Sequence, residues 1–181
     1  TLRQLMAQVG GLTTDHGGEA ELTADVISDE ARLVGRCERT VDGLQLDHFA
    51  QRELLFEPGT RYRPSSYGWI LVSAAVESAS DEPFLRFMRT QVFDPLSMNH
   101  TRSESATESI PDRATFYFPR FGADPRYGLH LMRDVDFSCY SGSSVFLSTP
   151  TDLVRFGMAI ESGKLLKPET VRMLQTSQRL T

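Results

Sequence analysis

Hydrophobic positions along this chain fall mostly at helical spacing. Leu2, Leu5, Met6 and Val9 make one apolar helical face, which the Gly10-Gly11 pair is expected to stop. A polar, glycine-containing stretch from Thr13 to Glu21 reads as loop. Thr23 can cap a helix bearing Val26, Ile27, Ala31 and Val34, and Leu44, Leu46, Phe49 and Leu54 continue a less regular helical pattern up to the Pro58-Gly59 break. The clearest element follows. From Ser66 onward Trp69, Ile70, Val72, Ser73, Ala74 and Val76 form an almost wholly apolar helix, expected to be buried, with Ser65 or Ser66 as its N-cap. Asp81-Glu82-Pro83 starts another, because proline is accommodated in a first turn, and Phe84, Leu85, Phe87, Met88 and Val92 supply its apolar face. His100 to Pro111 is polar and reads as a surface connection. Thr115 to Phe118 is the best strand candidate, followed by a long irregular stretch through Tyr140. Pro150-Thr151-Asp152 opens a helix to about Ser162, and Pro168 opens a last one. The pattern predicts a mainly α unit with a few short strands, without internal repeats.

Composition narrows the function classes. With 181 residues and 40% apolar content the chain has material for one domain with its own core, residues 1–181. No apolar run approaches the roughly 20 residues that span a bilayer, and localisation stays undetermined. A net charge of −5 with scattered arginines argues against nucleic acid, which rewards a concentrated basic face. Cys37 and Cys139 have no Cys-x-x-Cys spacing and read as buried thiols. His16, His48, His100 and His130 lack metal-ligand spacing, so no metal and no cofactor are expected.

Four stretches, in order, point to one family. Pro58-Gly-Thr-Arg-Tyr-Arg-Pro-Ser-Ser-Tyr-Gly-Trp69 resembles the catalytic-loop pattern Pro-Gly-Thr-x-Phe-x-Tyr-Ser-Asn-x-Gly-Tyr of the serine β-lactamase and penicillin-binding-protein superfamily, in its class C β-lactamase, D-Ala-D-Ala carboxypeptidase and esterase group. Thr1 to Leu12 resembles that group's Thr-Leu-Arg-x-Leu-Leu-x-His-Thr-Ser-Gly-Leu. Val92 to Met98 resembles its Phe-x-Pro-Leu-Gly-Met, and Phe146 to Gly157 its Ser-Thr-x-x-Asp-Leu-x-Arg-Phe helix start. Within the group, the mitochondrial serine β-lactamase-like proteins and their bacterial relatives look closest. The resemblance implies the helical lobe of the β-lactamase/transpeptidase-like fold, without most of its α/β lobe.

It also implies an acyl-enzyme serine hydrolase whose substrate is a small amide or ester. Ser65 and Ser66 fall on the family's catalytic Ser-Asn pair, and Tyr62 and Tyr67 are candidate substrate-binding residues. The family's catalytic tyrosine falls on Pro64, which has neither a phenol nor a backbone N–H. Ser65 or Ser66 as a plain N-cap would need no function, and that alone is worth about 1 kcal/mol. The family's nucleophile sits in Ser-x-x-Lys. The residues three before Lys164 and Lys167, the two lysines here, are Glu161 and Lys164, so that motif is absent, as is Lys/His-Thr/Ser-Gly. The chain therefore reads as the middle of a longer domain, inactive alone, with an exposed apolar face that favours self-association. Ser141-Gly-Ser-Ser144 lacks the Gly-x-Ser-x-Gly elbow and reads as close backbone packing. The alternatives are a non-catalytic pseudoenzyme lobe for ligand binding or scaffolding, and an unrelated helical interaction module.

Overall fold

A computed structural model describes residues 1–12, 53–104, 108–119, 126, 128–131 and 140–177. The loop expected after Leu12, the helical patterns from Thr23 to Val34 and Leu44 to Phe49, and both cysteines lie outside those residues. The described part is mostly helical, with two small antiparallel sheets.

Helix α1 (Leu2–Met6) starts in a capping box between Thr1 and Gln4. It stops earlier than the glycines suggest. Gln8 takes a left-handed φ of 59°, its N–H bonds to Leu5 O (3.0 Å), and the Val9 N–H reaches Gln4 O (2.9 Å). That pair of bonds is a Schellman closure with Gln8 in the place usually held by glycine. Gly11 has another role: a Cβ there would lie 2.3 Å from Phe56 O.

Helix α2 (Ser66–Ser80) runs as the sequence predicts and buries Tyr67, Ile70, Ala74 and Glu77, an i, i+3, i+7, i+10 stripe. At its far end the buried Glu77 carboxylate accepts the Phe84 N–H at 2.9 Å. This satisfies an orphan donor at the start of α3 (Phe84–Met88) and places negative charge at that helix's positive end. Pro83 sits at the N-cap of α3, one place before the expected first turn. The helix then continues as a π turn, Arg89–Phe93, which periodicity alone does not reveal.

The core gathers Phe93, Leu96, Met98 and Ala159, with Phe146 and Phe156 packed against them. The Phe146 ring meets Phe93 edge-on at a centroid distance of 5.0 Å. Phe146 belongs to β4 (Phe146–Leu147), which pairs with β1 (Arg102–Ser103), so the segment read as a plain surface connection contributes a strand. Just beyond it the buried Glu104 pairs with Arg113. The strand expected at 115–118 is β2 (Tyr117–Pro119). It pairs with β3 (Leu129–Leu131), Tyr117 opposite Leu131, so part of the stretch read as irregular is one side of a hairpin. Strands of two or three residues are too short for an alternating pattern to register.

Helix α4 (Pro150–Glu161) has Thr149 as N-cap and proline in its first turn. Its fully buried Asp152 accepts hydrogen bonds from the His100 N–H (2.9 Å), the Thr101 hydroxyl (3.0 Å) and Arg155 (2.8 Å). One carboxylate thus ties the turn after Met98 to the start of α4. The opposite face of α4 leaves Leu153, Val154 and Met158 exposed. Helix α5 (Pro168–Leu174) follows and returns to α1 through an Arg3–Met173 contact.

Burial alone would raise the Asp152 pKa, but its three donors outweigh burial and hold it below the ordinary carboxylate range. A depressed folded-state pKa contributes stability above the unfolded value that is lost as pH falls through the folded one. Asp152→Asn is therefore expected to lower the melting midpoint at neutral pH, with the gap to the parent narrowing only below the ordinary carboxylate range. Thermal melts across pH check this; a gap that does not change with pH would remove the charge from the account.

Candidate functional site

The loop that leads into α2 is assembled on the end of α1. Glu57 to Thr60 form a tight turn, with the Thr60 N–H and hydroxyl both on Glu57 O (3.1 and 2.7 Å). Gly59, at φ 100°, donates its N–H to Val9 O at 2.8 Å. From Arg61 the chain runs toward Ser65 beside Gln8. The Gln8 backbone oxygen accepts the Arg63 N–H (2.9 Å) and its side-chain Oε1 accepts the Ser65 N–H (2.6 Å). Gln4 adds a bond from Nε2 to Pro58 O (3.0 Å).

This clamp sets the positions of the four sequence-predicted site residues. Ser65 is buried, in extended backbone, and is the N-cap of α2, yet its hydroxyl makes no capping bond. The plain capping role is thus not what its side chain does. Ser66 is half-buried and opens the helix. Tyr67 is only 3% exposed and packs inward, whereas Tyr62 is 65% exposed on the loop. The structure brings Ser65, Ser66 and Tyr67 together at the start of α2 and leaves Tyr62 on the outer surface. Arg61, Arg63 and Pro64 are exposed.

The middle of α2 is held from the other side. A Cβ on Gly142 would lie 2.3 Å from Trp69 O and 2.9 Å from the Ser73 Cβ, so only glycine fits, at its φ of 82°. The Ser73 hydroxyl is shared between the carbonyl oxygens of Ile70 (2.7 Å) and Ser141 (2.9 Å). The Ser141 to Ser144 turn is therefore seated on helix backbone and is not a nucleophile elbow.

Gln8 is the residue that periodicity misses, because it lies within the expected α1. The available signal was its place opposite the histidine of the family's Thr-Leu-Arg segment. Its Nε2 is buried without a partner, beside a void of about 10 Å³ that Ser65 and Gly68 also line. Among the described residues no group of His, Cys, Asp and Glu is arranged to hold a metal. Lys164 bonds to Pro95 O (3.0 Å), away from the loop. The loop places Ser65 and Ser66 at the positive end of a 15-residue helix.

A family profile described as Beta-lactamase matches residues 1–181. The chain belongs to that family. The serine beta-lactamase-like protein LACTB, mitochondrial, of Bos taurus is 31% identical over 167 residues, covering 84% of this chain and 29% of the relative. Among solved structures, a D-stereospecific amidohydrolase from Streptomyces sp. overlays with a TM-score of 0.74 at 18% identity, covering 97% of this chain and 51% of that one. The D-amino acid amidase of Ochrobactrum anthropi, solved with L-phenylalanine amide, gives 0.70 at 22%, covering 94% and 45%. At such identities the likeness establishes the fold. The chain thus spans less than a third of its curated relative and about half of the solved neighbours, and the family match removes the reading of an unrelated module.

Replacing Gln8 by leucine removes the acceptor of the Ser65 N–H, and a buried donor left unpaired costs about 1–3 kcal/mol. Gln8→Leu should lose that much stability in urea unfolding. Unchanged stability would mean that the loop is held by other bonds.

Proposed function

We propose that this chain is the helical lobe, one unit over residues 1–181, of a serine hydrolase that acts through an acyl-enzyme. The reading is carried by the Gln8-clamped loop, which presents Ser65 and Ser66 at the start of α2 in a chain matched along its whole length by the beta-lactamase family. The nucleophile and its amine base would come from a Ser-x-x-Lys segment elsewhere in the parent protein. Serine oxygen attacks the substrate carbonyl, its proton passes to the amine, the leaving group departs protonated, and water then hydrolyses the acyl ester. Ser65 and Ser66 would contact that lysine and the substrate carbonyl or amide. Of the two substrate-binding candidates, the exposed Tyr62 would reach a substrate only from the loop's outer surface, and the buried Tyr67 would support the loop from behind.

The substrate class is a small-molecule amide or ester. The bound amide of the Ochrobactrum amidase supports amides in particular, and β-lactams and D-Ala-D-Ala peptides fit the same chemistry. One observation favours a second reading, a non-catalytic relative that binds or scaffolds: Pro64 occupies the place of the family's tyrosine, so the loop brings no phenol there. The exposed apolar residues of α4 support self-association of the lobe.

The 181-residue chain is expected to form no covalent adduct with a fluorescent penicillin or a fluorophosphonate, read by intact mass, and to sediment as more than a monomer at tens of micromolar. A serine adduct would overturn the assignment of the nucleophile to another segment, and a clean monomer would remove the self-association.

In the full-length protein, Pro64→Tyr restores a phenol and should raise kcat/KM on a chromogenic cephalosporin or a p-nitrophenyl ester by about 10²-fold where proton transfer limits. An unchanged rate in an equally stable variant would show that another group already moves the proton, or that the second reading holds.

A further inference from the structure

We propose that a groove between α1, the first turn of α2 and the end of α5 binds a small amphipathic carboxylate, an aromatic or branched apolar body carrying one anionic group. The groove offers about 280 Å³, just under the roughly 300 Å³ at which small-ligand pockets begin. Met6, Trp69, Met173 and Leu174 form its walls and all are exposed, Trp69 by 37% of its surface. Arg3 stands at its edge. Among the described residues its guanidinium has no carboxylate partner; Nη2 lies against the Met173 sulfur. A thioether is a weak acceptor, whereas a carboxylate would take two parallel N–H groups of the guanidinium, and Trp69 would stack on the ligand's body.

The larger cavity of about 650 Å³ beside α3 makes the contrast. Its arginines Arg86, Arg89 and Arg102 already face Glu82, Asp94 and Glu108. A protein partner would need about 800 Å² of surface, far more than this groove presents. The proposal does not rest on the hydrolase reading, although Trp69 lies one helical turn from Ser66 and the two sites are neighbours.

Trp69 is the only tryptophan of the chain, so its fluorescence reports this groove alone. Titration with 3-phenylpropionate should give a saturable change with a Kd on the order of 1 mM, and 3-phenylpropanamide should bind about fivefold more weakly. Arg3→Met, at an exposed position, should keep its fold by circular dichroism and bind both probes equally. Leu174→Asp should weaken both. The proposal is overturned if neither probe saturates by about 10 mM, if the parent binds acid and amide alike, or if Arg3→Met still prefers the acid.

Discussion

Gln8 accepts two backbone N–H groups of one strand of loop, through its own carbonyl and through its side chain, and the rest of the candidate site follows from that. Two such bonds two residues apart fix both the position and the direction of the segment they hold. Gln8 can do this because the Schellman closure turns it out of the helix into left-handed backbone, a conformation that costs a non-glycine residue about 1 kcal/mol or more. The hydrogen bonds it makes offset that strain, since the N–H of the buried Ser65 left unpaired would cost about 1–3 kcal/mol.

Helix α2 carries the constraint through the molecule. Its first turn is fixed by the clamped loop, its second by the Gly142 turn against Trp69 and Ser73, and its last by Glu77, which caps the following helix. At three places a polar group meets backbone. An apolar helix could slide or rotate against apolar neighbours with little penalty. These contacts have directional geometry and permit one register. Asp152 does the same for α4, binding a backbone N–H, a hydroxyl and a guanidinium at once. The apolar core of Phe93, Leu96, Met98 and Phe146 supplies the bulk of the burial, and the polar ties select the arrangement.

What could be read from the chain divides along the same line. Helix α2 was legible from its apolar run behind a serine cap, and α4 and α5 from the prolines that mark their starts. The expected start of α4 at Pro150 and of α5 at Pro168 coincide with the observed ones. The end of α1 was misplaced, because a left-handed glutamine has no local signature beside two glycines. Strands β1 and β4 pair across more than forty residues of chain and are two residues long; nothing local distinguishes them. At the site, the motif resemblance located Ser65 and Ser66, but no pattern says that Tyr67 turns inward and Tyr62 outward. Those directions depend on which side of the loop faces Gln8, a tertiary fact.

The same geometry explains how a proline can stand at position 64. In extended backbone, successive N–H groups point to opposite sides, so the donors of Arg63 and Ser65 both reach Gln8 while that of the residue between them would point away. A proline there forfeits no bond to the clamp, and its fixed φ reduces the freedom the loop must lose on folding. Residue 64 is exposed, as are Arg61, Tyr62 and Arg63, so the position that matches the family's tyrosine is a surface one. The fold therefore tolerates a proline there. Tyr62, exposed and two residues or about 6–7 Å of extended chain away, is a phenol on this loop but not at that position. Any proton transfer routed through this loop must span that offset or dispense with a phenol.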